Sequence, residues 1–158
     1  MEKKYQGVGY QNPSETIANS LINDIASRYS MRYIPNSKTI SYNQSLNILN
    51  SNPNAKKRSL KDEYNTDYLL DVDTKYWRMY HSTMFIDKAF FSMGNSVRIL
   101  DTKTEKPIAQ VDCKYKKEWE GDIPKYKDIL ANNHQFIKNY TQKAIDACIA
   151  KVRREILK

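Results

Sequence analysis

Asp71 and Asp73, in the stretch DYLLDVDTKYW, are the carboxylates whose spacing best suits chemistry. On an extended strand, residues two apart share a face, with side chains about 7 Å from one another. That is close enough to hold a cation or to divide acid and base roles. The same spacing describes the solvated face of a half-buried strand, because Leu70 and Val72 alternate with the two carboxylates, and that plainer role is the expected one. Cys113, Cys148, His81 and His134 are the other candidates. Together they would supply the four ligands of a zinc ion, or a Cys/His nucleophile pair. They are the only cysteines and histidines in the chain, and they stand scattered, with no C-x-x-C among them. A surface role for each histidine is the expectation. Gly7-Val8-Gly9 follows no strand and lacks the third glycine of a dinucleotide loop, and no phosphate-cradling loop is present. The expectation is a protein that is not an enzyme and carries neither cofactor nor metal; a small enzyme centred on Asp71, Asp73 or the Cys/His residues is the more distant alternative.

Binding chemistry is better supplied than catalysis. Lys and Arg total 26 against 18 Asp and Glu, a net charge of +8, which suits nucleic acid, an anionic membrane or an acidic partner. The densest run is Lys56-Lys57-Arg58, with Lys61 after it. It reads as a solvated loop or helix end; a cytosolic nucleic-acid-binding module using this basic loop is the alternative. Tyr76, Trp77, Tyr80, Phe90 and Phe91 could stack bases on a basic sheet, but they also carry the strand pattern of a core with an aromatic rim. A sheet turns alternate residues outward, so part of the segment 76–91 should be exposed. Tyr76, Trp77, Met79, Tyr80, Met84 and Phe85 are therefore the expected partner interface, since interfaces favour Tyr, Trp and Met. The loop 36–58 is a second candidate surface.

These residues need a scaffold, and the chain is long enough to build one. Its 158 residues fit one domain with a core of its own: residues 1–12 as a flexible N-terminal segment and 13–158 as a single domain. Asn12-Pro13-Ser14-Glu15 marks a helix start, with Asn12 as cap and Glu15 placed to reach back to it. Ile17, Leu21, Ile25 and Tyr29 give that helix one apolar face. MRYI, ending at Pro35, reads as a short strand, and residues 36–55 as loop. SLKDEY (59–64) is a short helix broken by Asn65-Thr66-Asp67. Residues 67–77 alternate as a strand with Tyr68, Leu70, Val72 and Tyr76 on one side. Residues 87–101 form a strand with a bulge expected at Gly94, TKTEK is a tight turn, and 107–119 is the returning strand with Ala109, Val111, Cys113 and Tyr115 on one face. A helix of more than twenty residues closes the chain, with Ile137, Tyr140 or Thr141, Ala144, Cys148 and Val152 on its inner stripe. The order is α-β-α-β-β-β-α: an α/β or α+β fold, a mixed sheet with a β-meander packed against N-terminal and long C-terminal helices. A right-handed crossover would make strands 32–34 and 67–77 parallel. No stretch of 18 apolar residues spans a membrane, and MEKKYQGVGYQNP has no apolar signal core. It suits either a cytosolic start or a mature exported chain given a new Met.

Cys113 shares a strand face with Val111, and Cys148 a helix stripe with Ala144 and Val152. Spacing alone leaves two readings open, a pair of buried thiols or one disulfide. A resemblance bears on the choice. The elements DYLLDV, RILD, TKTEK, Ala109, Cys113 and Ala144 to Cys148 resemble those of a widespread group of small bacterial envelope lipoproteins, whose members show D-x-x-L-D-V, then R-L-I-D-T-x-T-G-K-x-L-A-x-x-x-C, then a helix with A-x-x-C. The opening NPSETIANSLINDIASRYSMRY is similar to that group's first helix and strand. Glu105 stands where the group has a turn glycine, and residues 1–158 do not include the group's lipobox cysteine. At fold level the pattern is similar to the periplasmic domain of the curli-secretion lipoprotein and the N-terminal domain of the Tol propeller protein. The resemblance implies a Cys113–Cys148 disulfide in an oxidising periplasm. It also implies a subunit of an envelope assembly, such as a secretion or motility machine, tethered to the outer membrane of a Gram-negative bacterium by a lipid anchor and working through contacts with other envelope proteins.

Overall fold

In the computed structural model, residues 12–35, 59–82 and 88–158 are described. Helix α1, Pro13–Arg28, begins as the sequence predicts: Asn12 is extended, its side chain accepts from the Ser14 amide at 3.1 Å, and Pro13 opens the first turn. Glu15 stays exposed in that turn. The helix ends in a left-handed residue, Ser30, with the Met31 amide reaching back to the Ala26 carbonyl at 2.7 Å, the helix-terminating pattern usually served by glycine. Helix α2, Leu60–Tyr64, is capped by the Ser59 side chain and stopped by left-handed Asn65.

Strands β1 (Tyr68–Ser82), β2 (Lys88–Asp101) and β3 (Lys106–Glu120) form one antiparallel sheet in the order β1-β2-β3. The α+β class, the meander and the flanking helices are those predicted. The strand expected at 32–34 is not formed: residues 31–35 carry no regular structure, so the sheet has no parallel pair among the described residues. Ser30 and Pro35 close that stretch in, and Tyr33 and Ile34 remain 46% and 54% exposed, so no burial favours pairing. Asp101 carries the chain from β2 to β3. Its carboxylate accepts the amides of Lys103 and Thr104 at 2.9 and 2.8 Å, which holds it below the usual carboxylate range, Thr104 contributing most. Glu105 adopts φ 56° where the resembled group has glycine, and its carboxylate accepts the Leu60 amide at 3.1 Å. That bond ties α2 to the turn and offsets the strain of a side chain in the left-handed region.

Helix α3, Tyr126–Ile156, is broken rather than continuous: Asn132, Asn133 and His134 all have positive φ. Asn is the residue best suited to that conformation after glycine. Beyond the break the predicted stripe is the buried one, with Ile137, Thr141, Ala144, Cys148 and Val152 facing in. Helices α1 and α3 cover one face of the sheet. The core is Ile17, Leu21 and Ile25 of α1, Phe91, Met93, Val97 and Ile99 of β2, Val111 and Cys113 of β3, and the α3 stripe.

Candidate functional site

The register decides which side chains share a surface. Before Thr74, the even residues Leu70 and Val72 pack on the core, and Thr74 accompanies them inward, its hydroxyl bonding Ser14 of α1 at 2.7 Å and Asn95 of β2 at 2.9 Å. A bulge between Thr74 and Tyr76 then shifts the alternation by one. The irregularity sits on β1 and not at Gly94, as the sequence suggested; Gly94 lies opposite, paired with Tyr76. Its lack of a side chain has a different use. A Cβ at Gly94 would lie 2.5 Å from the Tyr76 ring, so the glycine lets that ring lie flat on the outer face.

Past the bulge, Trp77 and Met79 turn inward against the core, and the Trp77 indole donates to Thr141 of α3 at 3.0 Å. Tyr76, Arg78 and Tyr80 turn outward, so the sequence's assignment of Tyr76 to the face of Leu70 is corrected. The six residues expected at an interface are thereby separated: Tyr76 and Tyr80 face out, Trp77 and Met79 pack under the helices, and Met84 and Phe85 lie outside the described residues, as do Lys56, Lys57, Arg58 and nearly all of the loop 36–58 and the N-terminal segment.

Three rows cross the open end of the outer face. Tyr76, Gly94 and Lys114 form one, Arg78, Ser92 and Lys116 the next, Tyr80, Phe90 and Glu118 the third. Tyr80 stacks on Phe90 with ring centres 5.0 Å apart and 16° between planes, and is 47% exposed. Arg78 lies 4.9 Å over the Tyr76 ring and Lys116 5.3 Å over Phe90. Lys116 also pairs with Glu118, whose carboxyl it holds below the usual range by hydrogen bond and charge. Sequence reasoning named the stacking residues but omitted Arg78, Lys114 and Lys116, because facing across three strands is set by register and not by spacing along one.

The other end of the same face is acidic and partly covered. Asp71 and Asp73 share the outward face, as predicted, but each is engaged: Asp71 accepts from Arg98 Nε at 2.7 Å, and Asp73 from Lys75 at 2.6 Å. The Tyr64 phenol of α2 is pushed up by burial first, then by Glu63 and Asp71, which places α2 beside Asp71. Lys61 bonds Asp67 at 2.6 Å. His81 meets the Pro124 carbonyl at 3.1 Å and joins β1 to the approach of α3, whereas His134 sits in the α3 break. Cys113 and Cys148 form a disulfide with their Cα atoms 5.2 Å apart. Neither is free to act as ligand or nucleophile, and no group of three His, Cys, Asp or Glu converges to hold a metal among the described residues. No described helix is long and apolar enough to cross a membrane.

No protein-family model matches the chain, and no curated protein matches it. Among solved structures it is similar to one described as a "putative lipoprotein" from Caulobacter crescentus CB15, at 9% sequence identity and a TM-score of 0.38, over 92% of this chain and 85% of that one. A likeness of that degree carries no argument about what this chain does.

Proposed function

We propose that the protein is an exported subunit of the cell envelope that works through protein–protein contacts rather than catalysis. The observation that carries this reading is the Cys113–Cys148 bond, which uses every cysteine in the chain. Disulfides persist in oxidising compartments and are kept reduced in the cytosol. This one is structural in character: both residues are buried, and it ties the sheet to the long helix. The chain is large enough to fold without a staple, so its use fits a protein exposed outside the cytoplasm. Support also comes from the resemblance of DYLLDV, RILD and the two cysteine contexts to small envelope lipoproteins. A periplasmic setting, a lipid anchor and a place in a secretion or motility assembly are the finer form of the same proposal.

The test is thiol titration of denatured, unreduced protein isolated from its native host. Almost no free SH is expected. Two titratable thiols per chain in protein trapped with an alkylating agent at lysis would place it in a reducing compartment and sink the proposal.

A further inference from the structure

Resting on the reading above, we infer that the open end of the outer sheet face is a docking site for an acidic segment of another protein. Arg78 and Lys114 are exposed cations on this face with no carboxylate partner among the described residues; Lys116 beside them is paired with Glu118 of the third row, so the first two carry the site. The three flank a central strand whose outward residues there, Ser92 and Gly94, are small and already covered. Arg78 and Lys116 lie over the Tyr76 and Phe90 rings, and with Lys114 they spread over about 10 Å, the width of three strands. The stacked Tyr80 and Phe90 rings border them. Rigid rings beside an arginine are the combination that dominates contact surfaces, because they bury much area with little loss of rotamer freedom.

Complementary charge must come from elsewhere. The stretches outside the described residues hold Lys3, Lys4, Lys38, Lys56, Lys57 and Arg58 against only Glu2 and Asp87, and residues 36–58 contain no acid at all. That long loop would add repulsion if it folded over the face. A second copy laid parallel would set cation against cation at this end, and one laid antiparallel would offer it Asp71 and Asp73, which Arg98 and Lys75 already hold. The far end of the face is acidic, with Asp71, Asp73 and Asp112. There Arg98 and Lys75 are already held by Asp71 and Asp73, which leaves an acidic segment the rows of Tyr76, Arg78 and Tyr80.

The experiment uses the full chain with its disulfide intact and a fluorescently labelled poly-Glu peptide as probe, with oligo-dT and phosphatidylglycerol vesicles alongside. Two double variants carry the same net charge: Arg78→Glu with Lys114→Glu on the face, and Lys103→Glu with Lys106→Glu at the opposite end of the sheet. The face pair is expected to weaken poly-Glu binding at least tenfold and the distant pair less than threefold. Tyr80→Ala is expected to weaken it severalfold even at high salt, where charge is screened. Equal losses from both pairs, or no binding by the unaltered protein, would overturn the site. Tighter, face-dependent binding of oligo-dT or vesicles would overturn the acidic polypeptide as occupant. Thiol titration reports on export and this assay on the face, so either proposal can fail without the other.

Discussion

Replacing both cysteines, Cys113→Ala with Cys148→Ala, removes a cross-link that spans 35 residues. In the chain-entropy treatment, a loop of that length constrains the unfolded ensemble by about 3–4 kcal/mol. The substitution also empties two sulfur-sized spaces in the layer between β3 and α3, where both residues are buried, adding roughly 1 kcal/mol each. The expected total is about 5 kcal/mol, a third or more of a typical domain's stability. At roughly 2–4 °C per kcal/mol for a chain of this size, the melting temperature should fall by about 10–20 °C. Urea denaturation followed by circular dichroism separates the two contributions. Protein reduced under native conditions loses the link but keeps both sulfurs, so it should fall between the unaltered protein and the double variant. The m-value should rise in both uncross-linked forms, because an unlinked unfolded chain exposes more surface. If the double variant is destabilised by less than about 1 kcal/mol with an unchanged m-value, the bond does not constrain this fold and the argument from it fails.

Trp77→Ala should cost about 3–5 kcal/mol, as truncation of a core aromatic does, while Trp77→Phe should lose less, near the value of its hydrogen bond to Thr141; a Trp77→Ala protein as stable as the parent in thermal melts would mean that the ring is not a core element. Gly94→Ala should push the Tyr76 ring off the outer face, at a cost below about 1 kcal/mol because the ring is the free end of a side chain that can turn away. Tyr76→Ala should be coupled to it in a double-mutant cycle read by urea midpoints, and strictly additive effects would refute the close approach.

The sequence by itself determined what depends on local period. The element order, the inward set Ala109, Val111, Cys113 and Tyr115 of β3, and the α3 stripe through Thr141 and Cys148 were legible, because periods of two and 3.6 are properties of a single segment. The Asn12 cap of α1 was legible for the same reason, whereas Ser59, read as the first residue of α2, is its cap. What needed tertiary structure was everything set by a partner across space. The bulge falls on β1, opposite Gly94, and the change of phase it brings sends Trp77 into the core and Tyr76, Arg78 and Tyr80 out. Tyr33 and Ile34 have strand-forming side chains but pair with no strand among the described residues, so their propensity goes unused there. Glu105 tolerates a left-handed backbone through a bond to α2, forty-five residues away in the chain. The α3 break falls at Asn132, Asn133 and His134, inside a pattern that read as one helix. The cysteines show the division most plainly: each one's face was readable, but only the crossing of α3 over β3 brings the two sulfurs within bonding reach.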